Sequence, residues 1–256
     1  MASGFVIVQD GNQTMRRAAI AFCATVLFGV SVRAEEVKKS PSDYALVKAL
    51  PIAVHPQDAC DGTCAQAAAG ERDKLGPSPP WPLYRTSPTE TKALHDRLVQ
   101  RDRKKTTRDT VLTREEAIDA WKLSFPNGNY NPNDLADVFA KLWIFSWICG
   151  GIDPNAVTEK ASAGVRAQAR EILAADPAFS ALSEAQRQVA AESMIRAQAT
   201  AYVMMMIVAK KKNGKQDLPA VSGAMNGVRT AFETQYGLDL RKLALTQERG
   251  FAQLLR

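Results

Sequence analysis

Residues 132–149, with the sequence PNDLADVFAKLWIFSWIC, are the most informative stretch of this chain. Apolar side chains first recur at steps of three and four, as in Leu135 and Val138, which is the periodicity of a helix. The second half, 142–148, is apolar on every side, which is typical of a helix buried at the centre of a domain. It is far shorter than the roughly 20 apolar residues that span a bilayer. We therefore predict a central helix over 132–149.

Helix-start signals recur along the chain on both sides of this stretch. A Ser, Thr or Asp followed by Pro, or by Glu or Gln three residues later, is typical of a helix N-terminus. The helix after Ser183 is predicted to run over about 184–212 and to pack against the central helix. We expect an all-α fold, a bundle of five or six helices over 87–256. The signals lie at Ser87-Pro88, Thr113–Glu116, Asn131-Pro132, Asp153-Pro154, Ser183–Gln186 and Pro219.

The N-terminal region is predicted to contain a targeting signal rather than a folded element. Residues 15–34 combine two arginines, a short apolar run and a small residue at a plausible cleavage site after Ala34, as in a signal peptide. Retention of this segment as an anchor is the alternative. Residues 1–14 precede the signal awkwardly, and we interpret them as a mis-annotated extension. Residues 35–86 contain a Pro-rich run near their end and are predicted to be a disordered linker.

Three cysteines remain after the predicted cleavage site. Cys60 and Cys64 are close enough in sequence for a small local disulfide, which an oxidising compartment would permit. A bridge from either of them to Cys149 is the alternative. Their spacing lacks the two-residue interval of a redox Cys-x-x-Cys motif. We expect Cys149, which lies in the apolar run, to be a buried thiol.

Motifs for catalysis or cofactor binding are absent from the sequence, and we expect no cofactor. It has no Gly-rich phosphate loop, no Gly-x-Ser-x-Gly elbow and no His-Glu-x-x-His helix. The richest oxygen cluster includes Asn131, Asp134 and Asp137, which form a weak calcium candidate. The same acidic residues are the candidates for a hydrolase acid–base pair. The alternative interpretation is a loop and a helix cap.

Two further surfaces are candidates for binding. Trp143, Trp147 and Met205 could line an apolar ligand pocket, although packing in the core is the alternative. Arg101, Lys104 and Lys105 form part of a basic run that could contact an anionic surface, or simply face solvent. The net charge of +6 is too small for a nucleic-acid interface.

Two motifs carry a family resemblance. Residues 129–147, NYNPNDLADVFAKLWIFSW, and 236–246, YGLDLRKLALT, followed by Gly250-Phe251, resemble an uncharacterised family of exported proteins from Gram-negative bacteria. The likeness covers roughly 110–251. The family is catalogued as a domain of unknown function, so the resemblance implies an exported helical domain and no particular activity.

These observations favour a non-enzymatic binding or structural module of the cell envelope, periplasmic or secreted. Its expected partner is a protein or an apolar ligand of the envelope. A hydrolase using carboxylates near Asp134 is the first alternative. A peripheral membrane-binding protein is the second.

Overall fold

The computed structural model describes residues 59–60, 62–103, 111–125, 128–150, 156–209, 239–247 and 249–253. Within these ranges the protein has six helices longer than one turn and a two-stranded hairpin, so the all-α expectation is confirmed. A single helical turn at Pro177–Ser180 joins the fifth and sixth helices. The elements are α1 Gly62–Asp73, α2 Pro88–Arg103, α3 Arg114–Ser124, α4 Leu135–Cys149, α5 Glu159–Ala175, α6 Glu184–Ala209, β1 Leu243–Thr246 and β2 Gly250–Gln253.

Helices α4 and α6 form the centre of the domain. Helix α6 packs against α2, α3 and α4, and α4 also packs against α5. Almost every residue of α4 is buried, as its all-round apolar sequence predicts. The hairpin lies against α5, while α1 packs on α2.

Local capping explains where the helices begin. The predicted capping box at Thr113 is formed: its side chain accepts from the Glu116 N–H, and the Glu116 side chain reaches back to the Thr113 N–H. Helix α4 starts three residues later than predicted, because Asp134 caps it by accepting from two backbone N–H groups. Helix α5 is capped by Thr158 rather than by the predicted Asp153-Pro154, which lies outside the described residues.

The disordered linker predicted over 35–86 is wrong for its second half. Residues 62–73 form α1, and Tyr84 is buried. The Pro-rich run cannot be helical, but its extended backbone pairs with the start of α4. The Tyr84 N–H donates to the Asn133 carbonyl at 3.1 Å, and the Leu135 N–H donates to the Pro82 carbonyl at 3.3 Å.

The tail beyond residue 238 is the second departure from the predicted helical bundle. Strands β1 and β2 pair in antiparallel register, with Leu245 opposite Phe251. The predicted sixth helix from Pro219, residues 1–58 and the predicted signal peptide lie outside the described residues.

Candidate functional site

A cavity of about 280 Å³ opens where the first turns of α2 and α3 meet α6. Three cationic side chains and one carboxylate line it, together with an imidazole and three threonine hydroxyl groups. Polar groups of this kind suit a small charged ligand better than an apolar one. The lining residues are Thr86, Pro88, Thr91, Lys92, His95, Thr113, Arg114, Glu115 and Arg196.

Helices α2 and α3 both begin beside the cavity. The hydroxyl group of Ser87 accepts from the Glu90 N–H at 3.2 Å and starts α2. The capping box of Thr113 starts α3. The partial positive charge of each helix N-terminus is met by a carboxylate of the chain itself. The Thr89 N–H donates to Glu71 at 3.2 Å, and the Thr113 N–H donates to Glu116 at 2.9 Å.

Arg196 forms the buried wall of the cavity and is only 5% exposed. Its Nη1 donates to the Leu112 carbonyl at 2.6 Å and lies 3.1 Å from Nδ1 of His95. A guanidinium group has only donors, so Nδ1 of a neutral His95 is the acceptor, which leaves Nε2 as the imidazole's donor. Burial lowers the pKa of Arg196, although the carboxylate of Glu192 opposes this shift.

Two donors of Arg196, Nε and Nη2, have no hydrogen-bond partner in the described part of the chain. The closest ion-pair oxygen is Oε2 of Glu192, 3.7 Å from Nη2. Leaving buried charged donors unpaired is costly, typically a few kcal/mol per group. Both atoms are almost completely shielded from solvent, so a ligand in the open cavity would contact other atoms of Arg196 unless neighbouring side chains moved.

The other two cationic groups already have partners. The Nε of Arg114 donates to Oε1 of Glu192 at 3.0 Å, and its Nη2 donates to Thr86 and to Asn133. Thr91 and Gln188 donate to the same Glu192 oxygen. The largely exposed Lys92 pairs with Asp96 at 2.6 Å. Arg114 is consequently fixed in place, and Lys92 stays at the mouth of the cavity.

The predicted oxygen cluster is brought together, but its carboxylates bind arginines. Asp137, which is fully buried, accepts from Nε and Nη2 of Arg166 at 2.9 and 2.7 Å. Arg170 bridges Asp134 and Asp137 at 2.5 and 3.0 Å. The backbone N–H of Asn131 donates to Asp137 at 3.0 Å.

This arrangement argues against both chemistries that the sequence suggested for the cluster. Two guanidinium groups occupy the position that a calcium ion would need, and like charges repel. Asp134 caps α4, so the hydrolase interpretation loses the residue on which it rested. In place of the expected calcium site and acid–base pair, the structure has a helix cap held by three ion pairs from two arginines.

The candidate apolar pocket is filled by the hairpin. The ring of Trp143 stacks on Phe251 with centroids 5.0 Å apart, and Trp147 meets the same ring edge to face at 5.5 Å. The indole N–H of Trp147 donates to the Leu243 carbonyl at 3.3 Å. Both tryptophans are core residues in this arrangement. The side chain of Met205 lies outside the described part of the structure.

The remaining candidates lie away from the cavity. The predicted Cys60–Cys64 disulfide is formed, with Cα atoms 5.7 Å apart, and the Cys149 side chain is buried separately. The ligand atoms of Cys60, Cys64 and Glu90 lie within 4.8 Å of one another, but bonded sulfurs offer no thiolate to a metal. The side chain of Arg101, and all of Lys104 and Lys105, fall outside the described residues.

The sequence analysis singled out neither Arg196 nor His95 as a site residue. One signal was present. Glu192 and Arg196 are four residues apart in α6, a spacing that places them on one face of the helix. Charged residues on the buried face of a helix indicate that polar partners for them lie inside the fold. The identity of its partners depended on contacts across about 100 residues of sequence.

Among the described helices, none combines the length and the hydropathy needed to cross a membrane. The comparison with curated proteins found no match, nor did the comparison with solved structures. A family model matches residues 78–251, which is more than half of the chain. The matched stretch contains every residue that lines the cavity. The chain therefore belongs to DUF6683, a family of unknown function.

Proposed function

We propose that this protein is an exported, non-enzymatic binding module of the cell envelope that holds a small anionic ligand in the cavity between α2, α3 and α6. The observation that carries the proposal is the set of three cationic side chains, Lys92, Arg114 and Arg196, in the lining of the cavity. The ligand class differs from the apolar one expected from the sequence, because the polar cavity is open and the tryptophans are packed.

Charge and size support a small anion. Lys92, Arg114 and Arg196 contribute three positive charges to the lining, against one negative charge from Glu115. Asp96 pairs with Lys92, and Glu192 pairs with both arginines, so part of this positive charge is neutralised from behind. A cavity of about 280 Å³ is at the lower end of the range for ligand pockets, roughly 300–1,000 Å³. A carboxylate or a phosphate group on a small molecule fits both properties.

Export is supported by the signal-like sequence of residues 15–34 and by the Cys60–Cys64 disulfide. Disulfides form and persist mainly in oxidising compartments such as the periplasm. The non-enzymatic part of the proposal is supported by Asp134 and Asp137. Their oxygens are engaged by backbone N–H groups and arginines, so they are poorly placed to exchange protons with a substrate.

The experiment starts from the full chain, expressed with a C-terminal tag in a Gram-negative host and recovered from the periplasm. Native mass spectrometry gives the first residue of the exported protein, expected to be Glu35, and any co-purified mass. Calorimetric titration then uses succinate and inorganic phosphate as separate probes of the two anion chemistries. We expect one of them to bind and to raise the melting temperature of the protein.

Two variants with opposite charge changes make this test specific. Arg196→Gln removes one of the three positive charges from the lining and should weaken binding at least tenfold. Glu115→Gln removes the negative charge from the lining and should strengthen binding of the same anion a few fold. Thermal unfolding of each variant checks that it is folded. Wild-type affinity in Arg196→Gln, or no binding of either probe, would rule out the anion site. A periplasmic protein that keeps residues 15–34 would contradict export with cleavage.

A further inference from the structure

A disulfide bond and a buried carboxyl group meet where α1 packs on α2. Cys60 precedes α1, and Cys64 lies in its first turn. Glu90, in the first turn of α2, is only 1% exposed. Its Oε1 accepts from the Cys60 N–H at 2.7 Å, and its Oε2 lies 2.5 Å from the Cys60 Sγ. The carboxyl group is thus held directly against one sulfur of the disulfide.

The contact places a proton-bearing group beside the Cys60 sulfur whenever Glu90 is protonated. A disulfide sulfur carries no hydrogen, and neither does an ionised carboxylate, so the pair can share a hydrogen bond only when Glu90 is protonated or Cys60 is a thiol. Burial raises the pKa of Glu90. The Cys60 N–H and the charges of Arg72 and Arg97 oppose this shift, and Glu192 adds to it.

The second sulfur lies in an environment suited to a thiolate. Cys64 is near the N-terminus of α1, where the partial positive charge of the helix stabilises a thiolate. Both cysteines are partly exposed, so a thiolate from solution can reach the bond. One sulfur therefore has a proton source beside it, and the other has a stabilised anionic form.

We propose that Cys60–Cys64 is a thiol–disulfide exchange site in which Glu90 supplies and takes back the proton of the Cys60 sulfur. A thiolate of a reducing dithiol attacks the Cys64 Sγ and breaks the bond to Cys60. The Cys60 sulfur leaves with the bonding electron pair and takes the proton of Glu90. The second thiolate of the reductant then attacks its own sulfur in the mixed disulfide and releases the Cys64 thiolate.

The electrons and protons balance in this sequence. The reductant supplies two electrons and leaves as a disulfide, while the protein becomes a dithiol. The reductant's two protons pass to solvent as it ionises, and the Cys60 thiol keeps the proton of Glu90. Oxidation by a disulfide of the same class runs the steps in reverse. Because both cysteines precede residue 78, this activity would belong to this chain rather than to the stretch matched by its family.

The test follows reduction of the folded full chain by dithiothreitol, with acid quenching, alkylation and mass spectrometry of the peptides. Rates are divided by the concentration of dithiothreitol thiolate at each pH. For the wild type, we expect the corrected rate to be constant at low pH and to fall as Glu90 ionises, because the proton donor is then lost. Alkylation of the buried Cys149 reports any unfolding.

Glu90→Gln keeps the shape of the side chain but has no proton to give. We expect its reduction to be at least about tenfold slower than that of the wild type at low pH, with no inflection in the corrected rate. Glu71→Gln is the matched control, because Glu71 also links α1 to α2, through Ser87 and Thr89, without contacting either sulfur. This control should keep the wild-type profile.

Three outcomes would overturn the proposal. They are a wild-type profile in Glu90→Gln, an equal loss of rate in Glu71→Gln, and a disulfide that resists excess dithiothreitol in the folded chain. If Glu90→Gln exposes Cys149, the wild type is compared in buffer and in urea. The inflection should then appear only in the folded protein, and the same profile in both would also reject the role of Glu90.

Discussion

Lys141 is a cationic residue with no carboxylate partner shown in the described part of the protein. It lies in α4 and is 2% exposed. Its Nζ lies 4.1 Å from the ring centroid of Trp121 and 3.4 Å from the carbonyl oxygen of Lys122, to which it donates. Burial, together with the charge of Lys122, lowers the pKa of Lys141 to about 7. The aromatic contact recovers only part of the cost of desolvation.

This residue makes the stability of the fold depend on pH. The pKa in the folded state is below the value of 10.5 expected for the unfolded chain, so the unfolded chain binds more protons between these two values. The free energy of unfolding should therefore rise with pH from about 7 to about 10, by up to about 1.4 kcal/mol per unit. Lys141→Met should remove this slope and stabilise the protein at neutral pH.

Urea unfolding at a series of pH values measures this dependence. Lys122→Met is the control: its side chain is exposed, so removing it should leave most of the slope in place. A Lys141→Met protein with the same slope as the wild type would show that another group causes the pH dependence.

At the scale of elements, the sequence predicted helices well where local chemistry sets their ends. Ser87, Thr113 and Ser183 each cap the helix that follows, as predicted, and all three signals are visible within four residues. The start of α5 was misplaced because Asp153-Pro154 and Thr158 are both acceptable caps. Local propensity does not choose between two such candidates, and packing against α4 contributes to the choice.

The hairpin could not be predicted from local sequence, for a different reason. Leu243 and Leu245 alternate as strand residues do, but a short isolated hairpin is marginally stable in water. Two sets of contacts hold the hairpin in place. The ring of Phe251 packs against two tryptophans of α4. The side chain of Gln168 in α5 hydrogen-bonds to both the N–H and the carbonyl group of Phe251. These contacts join residues more than 80 positions apart, so no local pattern could have indicated them.

The packing of the hairpin can be tested at Phe251. Phe251→Ala removes a buried ring that touches both Trp143 and Trp147, and should destabilise the protein by about 3–5 kcal/mol. The tryptophan emission should also shift to the red as water reaches the indoles. Arg249→Ala, an exposed change in the same hairpin, should leave both signals unchanged. Unchanged emission in Phe251→Ala would contradict the stacking.

At the scale of the whole molecule, the bundle could be predicted but its cavity could not. The apolar residues of 132–149 predicted a central helix, and the capping residues predicted where the other helices begin. The cavity combines Thr86, His95, Arg114 and Arg196, which belong to different segments and show no common spacing. The predicted site residues Asp134 and Asp137 did come together, but as an ion-paired cap whose arginines lie about 30 residues further along.

Long-range contacts also indicate whether α1 belongs to the folded unit. The family match begins at residue 78, yet α1 supplies contacts that reach the centre of the domain. The Nη2 of Arg72 donates to the fully buried Gln188 at 2.6 Å, and the carboxylate of Glu71 accepts from Ser87 and Thr89 at the start of α2. The carbonyl groups of Arg72 and Gly76 accept from Arg85.

A chain that begins at residue 78 should therefore fold less stably than one that begins at Glu35. Removing α1 strips a buried partner from Gln188, and such a loss costs about 1–3 kcal/mol, so we expect a deficit of at least about 1 kcal/mol in urea unfolding. A chain from Glu35 that carries Cys60→Ser and Cys64→Ser separates the disulfide from the docking of α1, and should keep most of the stability. Equal stability of the long and short chains would place α1 outside the cooperative unit. A deficit reproduced in full by the two serine substitutions would assign it to the disulfide instead.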